Sequence, residues 1–300
     1  MKNTFIYLVF TFFTFWLAGC IGDPEPAVDY SERDEELIST HLAENGITNA
    51  TRHSSGLYYT IDEPGISSTD SIIYNSPVVL HYEGRLLDGT LFDSSKERAA
   101  PAVLIPQNLI YGWQIALPLL NRGSKATLYV PSHLGYGNQQ LGTIPANSVL
   151  KFEMEVLDFF PSTASYDTVY SVASAETIRM YLEKKNITDT EVTASGLHYR
   201  VLEEGTGTEH PALNDSIKVA YTGSLINDEE FDGTADGESI SFILDNNLIK
   251  GWTEGVQKMK KGEKAQLIIP SPLAYRSNAT GSIPANSVLI FEIELIDFGF

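Results

Sequence analysis

The chain is poor in the residues that most chemistry needs. It holds one cysteine, Cys20, in 300 residues, so a disulfide within the chain is impossible and a dedicated use of that thiol is expected. No cysteine nucleophile, no glycine-rich phosphate loop and no metal-ligand spacing among the six histidines can be found. Hydrolytic and redox chemistry therefore have no evident agent, and neither metal nor cofactor is expected. Basic residues are scarce as well: 20 Lys and Arg against 39 Asp and Glu give a formal charge of −19. That balance argues against nucleic acid as a partner and against adsorption to anionic lipid by charge, because both need basic patches.

The first twenty residues stand apart. Lys2 precedes an uncharged run from Phe5 to Ala18, which closes in Leu17-Ala18-Gly19-Cys20, the pattern of a targeting segment. At about 1.5 Å per residue such a run reaches only ~21 Å, short of the ~30 Å hydrocarbon core, so a spanning helix is the weaker reading. Leu-Ala-Gly-Cys resembles the lipobox of bacterial lipoproteins. The resemblance implies that residues 1–19 are a signal peptide, that Cys20 is lipidated as the mature N-terminus, and that the rest of the chain is lipid-anchored to a membrane in the bacterial cell envelope, facing the periplasm or cell surface. An ordinary secretory signal with an incidental cysteine is the alternative. Residues 21–30, with Pro24 and Pro26, read as a spacer, and the acidic run Asp29, Glu32, Asp34, Glu35 and Glu36 reads as a solvated helix start.

What the chain does have is a duplication. Ile144-Pro-Ala-Asn-Ser-Val-Leu150 recurs unchanged as Ile283-Pro-Ala-Asn-Ser-Val-Leu289, 139 positions later. Tyr82, Phe92-Asp93, Gly112-Trp113 and Tyr136 match Tyr221, Phe231-Asp232, Gly251-Trp252 and Tyr275 at the same offset. A period this long, in a chain whose length suggests about two domains, marks two autonomous copies of one unit. We divide the chain into a tether with helical arm (20–55), a first domain (56–160), a linker with helical arm (161–195) and a second domain (196–300).

The arms show helical spacing. Ser31 with Asp34 resembles a capping box ahead of Leu37, Ile38 and Leu42, and a second helix is expected from about Ser174 to Asn186, with Ile178, Tyr181 and Leu182 on one face. One apolar stripe of three or four turns favours packing on the domains over a coiled coil, and the oligomeric state stays open. Within each copy the period becomes two. Val78, Leu80 and Tyr82 alternate with Val79, His81 and Glu83, as Ile217, Val219 and Tyr221 do with Lys218, Ala220 and Thr222. Leu150, Phe152, Met154 and Val156 alternate with Lys151, Glu153 and Glu155, which implies an antiparallel sheet with one solvated face. Asp88-Gly89 and Asn227-Asp228 are hairpin turns. One short helix starts near Leu109 and near Leu248, and in copy one it ends before Pro118. The expected fold is α+β: twice, a twisted antiparallel β-sheet wrapped around a short α-helix, each preceded by a helical arm.

The residues that recur are aromatics around a carboxylate. Their order and local sequence resemble the FKBP-type peptidyl-prolyl cis-trans isomerases over roughly 210 of the 300 positions. The diagnostic strings are Val79-Leu-His-Tyr-Glu-Gly84, Leu86 to Ser95, Ile110-Tyr-Gly-Trp113, Leu134-Gly-Tyr-Gly137 and Ile144-Pro145, and in copy two Val219 to Gly223, Phe231-Asp232, Leu248 to Val256, Leu273-Ala-Tyr275 and Ile283-Pro284. The resemblance implies a pocket walled by Tyr82, Phe92, Asp93, Arg98, Leu109, Ile110, Trp113, Tyr136, Ile144 and Phe152. Of these, Tyr82, Phe92, Asp93, Trp113 and Tyr136 carry catalysis. It extends to Asp232 and Tyr275 as catalytic residues of copy two, with Tyr221, Phe231, Leu248, Ile249, Trp252, Ile283 and Phe291 contacting substrate. The loops after Pro131 and Pro270 would be flaps over the pocket, that of copy one mobile through Gly135, Gly137 and Gly142.

Several positions depart from the family pattern. An aromatic is usual where copy one has Ala102 and copy two Ile240, which should widen both pockets and weaken macrolide binding. Copy one keeps Arg98 but has Ile115-Ala116-Leu117 after Gly-Trp. Copy two keeps Glu254-Gly255-Val256 but lacks the arginine and carries Arg276 in place of a glycine. Copy one is thus the expected active site. The implied function is proline isomerisation assisting the folding of exported proteins, acting on their proline-containing segments. A non-catalytic chaperone or peptide-binding lipoprotein on the same fold is the alternative, and a structural spacer explains the repeat without the pocket.

Overall fold

A computed structural model describes residues 28–66 and 71–299 of the chain. The leader, Cys20 and most of the spacer lie outside these described residues. Copy one runs α1 (Ser31–Glu44), β1 (Thr51–Arg52), β2 (Tyr58–Glu63), β3 (Val78–Leu86), β4 (Leu91–Ser94), β5 (Ala102–Leu104), α2 (Tyr111–Ala116), β6 (Lys125–Val130) and β7 (Leu150–Phe159). Copy two repeats the order as α3 (Tyr166–Lys185), β8 (Glu191–Val192), β9 (His198–Glu203), β10 (Ser216–Leu225), β11 (Glu230–Gly233), β12 (Ile240–Ile243), α4 (Lys250–Val256), β13 (Lys264–Ile269) and β14 (Leu289–Phe298). Each copy forms one antiparallel sheet, ordered β1-β2-β6-β7-β3-β4 in the first and β8-β9-β13-β14-β10-β11 in the second, with β5 on β3 and β12 on β10. The fold is α+β, as the alternation of the strands implies.

The period-two faces meet one short helix. Trp113, Ala116 and Leu117 pack against Leu80, Leu128, Val130, Leu150, Phe152 and Met154, and copy two repeats this around Trp252 and Val256. The glycine before each tryptophan is required by that approach. A Cβ on Gly112 would stand 2.6 Å from Val130, and one on Gly251 would collide with Ile269.

The arms pack on the sheets. Ile38 and Leu42 of α1 bury against Tyr129 and Val149. The capping box at Ser31 is absent: Tyr30 takes the cap position, and Ser31 donates to Asp29 through its amide and hydroxyl. Asp34 turns inward instead. It is fully buried and accepts the amide and hydroxyl of Ser132 at 2.7 and 2.6 Å, so the acidic run is solvated only in part.

The second arm begins two turns earlier than its apolar stripe suggests. Helix α3 starts at Tyr166, capped by Ser165, and ends at Asn186 in the left-handed region. Its first half lays Val169 and Ala173 on Val79, Val103 and Leu157 of copy one. Its second half lays Ile178 and Tyr181 on Ile268, Val288 and Ile290 of copy two. At ~100° per residue these two faces lie on roughly opposite sides of the helix, so no single stripe marks its full length. The outer face of copy one's sheet is therefore covered at β3, where Val79 is wholly buried and His81 is 4% exposed, and stays solvated at Glu153 of β7.

Candidate active site

The pocket of copy one is made by two local devices. The register of β3 with β4 slips between Gly84 and Arg85, pairing Gly84 with Asp93 and Arg85 with Leu91, so that Phe92 is the extra residue of a bulge. A bulge re-aims side chains beside active sites, and here it lays the Phe92 ring over Gly84, where any Cβ would collide with Phe92 and Phe152. Copy two repeats the device at Gly223, Phe231 and Asp232. The periodicity of the strands gave no sign of it, although a glycine paired opposite the Phe-Asp pair in both copies was a readable hint. The second device is the turn at the start of α2, which places Leu109 and Ile110 at the rim and Trp113 at the floor.

The result is a cavity of about 400 Å³ lined by Tyr82, Phe92, Asp93, Leu104, Asn108, Leu109, Ile110, Trp113, Tyr136, Ile144 and Phe152, within the size range of small-ligand sites. Its aromatic members meet edge to face: Tyr82 on Trp113 at 5.2 Å, Trp113 on Phe152 at 5.1 Å and Phe92 on Phe152 at 5.6 Å. Such contacts hold rings rigidly and leave a shaped apolar space. The structure thus brings together nine of the ten expected residues; the tenth, Arg98, stands at the rim. Leu104 and Asn108 complete the lining.

Arg98 donates to Asp93 Oδ1 at 2.5 Å and to the Tyr82 hydroxyl at 2.9 Å, while the Tyr82 hydroxyl donates to Asp93 Oδ2. Burial works to raise the pKa of Asp93, but these two donors outweigh it and hold the carboxyl below the usual range. Asp93 is thus a fixed carboxylate. Burial, and then the charge of Asp93, push the Tyr136 hydroxyl above its ordinary pKa, so it remains a protonated donor facing the cavity. The flap that carries Tyr136 is tied at its base, Gly137 N–H donating to Ser132 O at 2.9 Å and Asn147 N–H to Gly137 O at 2.7 Å.

The position on β5 differs from expectation. Ala102 pairs with Leu80 and Ile240 with Val219, but Ala102 does not line the cavity and Ile240 is exposed to solvent. The pocket-facing residues lie two positions on. Copy one has Leu104 there, whereas copy two has Phe242, whose ring centroid sits 5.6 Å from that of Trp252. At this wall copy one therefore carries an aliphatic residue where copy two carries an aromatic one.

Copy two assembles the same cage, with Tyr221 on Trp252 at 5.5 Å, Phe231 on Phe291 at 5.5 Å and Trp252 on Phe291 at 5.8 Å. Leu248, Ile249, Tyr275 and Ile283 pack into the same cluster. Burial and the bond to Asp232 at 2.8 Å push the Tyr221 hydroxyl up to about 12. No arginine closes this pair, and Asp232 is exposed. Arg276 lies in the left-handed region at φ 59°, as Gly137 does in copy one. It points to α3, bonding Asp167 at 3.0 Å and stacking on Tyr166.

An antiparallel sheet wound on one helix, with an aromatic cage and one fixed carboxylate, defines a class of pocket suited to a small apolar ring beside a dipolar group. The model of the FKBP-type peptidyl-prolyl cis-trans isomerases matches residues 73–157 and 207–296, and the chain belongs to that family. It is 39% identical over 148 residues to the FKBP-type peptidyl-prolyl cis-trans isomerase FkpA of Aeromonas hydrophila, covering 49% of this chain and 53% of that one. To FkpA of Escherichia coli K12 it is 45% identical over 108 residues, 36% of this chain and 39% of the other. To the human peptidyl-prolyl cis-trans isomerase FKBP9 it is 31% identical over 222 residues, 72% of this chain and 34% of the other. Among solved structures, that of FkpA from E. coli is 37% identical with a TM-score of 0.39, covering 46% of this chain and 64% of that one. The chain spans about half or less of the length of these curated relatives.

Proposed function

We propose that the chain is a peptidyl-prolyl cis-trans isomerase acting on proline-containing segments of exported polypeptides. In this reading it is held at the bacterial cell envelope by lipid on Cys20, and copy one is its principal site. The observation that carries the proposal is the cavity of copy one, in which a rigid aromatic cage sits between a carboxylate with both oxygens bonded and a protonated tyrosine. The lipobox-like Leu-Ala-Gly-Cys supports the anchor. No helix among the described residues is long and apolar enough to cross a membrane.

The chemistry asked of such a site is small. The trans X-Pro bond is favoured by only ~0.5 to 1 kcal/mol, but the barrier of ~18 to 20 kcal/mol makes exchange slow. No bond breaks, and the planar amide is more dipolar than the twisted one, so stripping water from it favours the transition state. Trp113 is the floor beneath the proline ring, and Phe92, Ile110 and Phe152 are its sides. The Tyr136 hydroxyl donates to a substrate carbonyl, while Asp93 orders Tyr82 and acts on the rotating carbonyl through its field. About 2.7 kcal/mol, a hundredfold, is within reach of desolvation plus one hydrogen bond. Copy two, with an exposed Asp232 and with Phe242 packed on Trp252, is the weaker catalyst or a binding domain.

The test is isomerisation of short proline peptides by the leaderless chain; no acceleration from a folded sample would end the enzymatic reading. The pH profile is a second check. Asp93 stays charged below the ordinary Asp value of about 3.9, and Tyr136 stays protonated above about 10. The rate should therefore be flat from about pH 5 to 9 and fall only in stronger acid. A fall in rate between about pH 7 and 9 would show that Tyr136 is not held protonated as this reading requires.

A further inference from the structure

We propose that Glu176, on the helix that leads into copy two, is a positioning residue for the pocket of copy one. It acts by fixing the tautomer of His81 and, through Ser95, the segment that bears Asp93 and Arg98. The inference rests on the reading of copy one as the isomerase site.

His81 is the neighbour of Tyr82 on β3 and faces away from the pocket, beneath α3. Both ring nitrogens are engaged. Nε2 lies 3.0 Å from Glu176 Oε1 and Nδ1 lies 3.1 Å from Ser95 Oγ. Ser95 is fully buried; its Oγ accepts the Tyr82 amide at 2.9 Å, and its own amide donates to Tyr82 O at 3.0 Å. It stands two residues after Asp93 and three before Arg98, so it pins the segment that carries both.

The polarity of this chain is set from the helix. Arg179 donates to Glu176 at 2.8 and 2.5 Å. That bond outweighs burial and, together with His81, holds Glu176 below the usual carboxylate range. A carboxylate only accepts, so Nε2 carries a proton toward Glu176, and with a single proton on the ring Nδ1 is left to accept from the Ser95 hydroxyl. Every buried group is then satisfied. Without Glu176, the Nε2 proton loses its acceptor and the ring gains by moving it to Nδ1. The Ser95 hydroxyl must then turn to Tyr82 O, 3.4 Å away and already bonded to the Ser95 amide, a weaker arrangement at the strand pair that presents Asp93.

Copy two supplies an internal comparison. Thr234 takes the place of Ser95, accepting the Tyr221 amide at 3.2 Å and donating its own amide to Tyr221 O at 2.9 Å. Ala220 occupies the place of His81. The pin is thus common to both copies, but the link to a helix is built only into copy one.

The test compares the full leaderless chain with its Glu176→Gln and Glu176→Ala variants, reading kcat and KM on a proline peptide together with the ¹⁵N shifts of the His81 ring. Glu176→Gln retains an oxygen acceptor for Nε2–H and should keep the tautomer, with a rate within about twofold of the parent. Glu176→Ala should shift the ring toward Nδ1–H and lower kcat about threefold to tenfold at nearly constant KM. Val169→Ala loosens the same helix face without touching His81 and should lower the melting temperature while leaving tautomer and kcat in place. Parent tautomer and kcat in Glu176→Ala, or an equal loss in Glu176→Gln or Val169→Ala, would overturn the proposal. Should the parent itself not accelerate isomerisation, the isomerase reading fails on its own. The ring shifts and the Asp93 and Arg98 amide shifts would still decide whether Glu176 places that segment.

Discussion

On the proposed isomerase reading, Asp93→Leu should cut the rate of the whole chain at least about tenfold, or ~1.4 kcal/mol of transition-state stabilisation. The substitution removes the carboxylate that both Tyr82 and Arg98 bond, so it deletes a field at the pocket and also frees the tyrosine it orders. Leucine at Asp232 should change the total rate by less than about twofold, because that carboxylate is exposed and lacks an arginine partner. The double variant should approach the uncatalysed rate. Rates for the three variants on one proline peptide, with unchanged circular dichroism, test the order of the two sites. Full activity in Asp93→Leu, or a greater loss in Asp232→Leu, would reverse the assignment.

Alanine at Asp34 should be the most destabilising single change on the arms. The carboxylate is buried and accepts two bonds from Ser132 and two from Arg33. Removing it strands the Ser132 amide and hydroxyl in the interior at a cost of ~2 to 3 kcal/mol. Copy two shows the neutral solution to the same problem. Ser174 accepts the Ser271 amide at 3.2 Å, and Tyr166 bonds the Ser271 hydroxyl at 2.6 Å. Asp34→Ser should therefore recover part of the loss. Urea unfolding with hydrogen exchange at Ser132 separates the variants, and equal stability of Asp34→Ala and the parent would show that α1 is held by its apolar face alone. Because the Ser132 turn leads into the flap that carries Tyr136, KM for a proline peptide should rise in Asp34→Ala as well.

Much of the site was legible as sequence. Tyr82, Phe92, Asp93, Trp113 and Tyr136 recur in both copies, and the structure gathers them into one cavity. Two of the errors share a cause. The wall from β5 was placed at Ala102 and Ile240 when it is Leu104 and Phe242. Residues two apart on a strand face the same way, so the alternation alone does not say which of them meets the pocket. The start of α3 was missed because Val169 and Ala173 face copy one while Ile178 and Tyr181 face copy two, and a period search sums faces that lie apart in space.

By itself the sequence determined that one α+β unit is used twice and which aromatics and carboxylates each copy carries, because periodicity and repetition are properties of local order. Only the tertiary structure decided how those residues work: the bulge that turns Phe92 and Asp93 inward, Arg98 at the rim, and the buried path from Glu176 through His81 to Ser95. These depend on which segments meet across 5 to 95 positions of chain, and a hydrogen bond between distant residues leaves no mark on the local pattern of either.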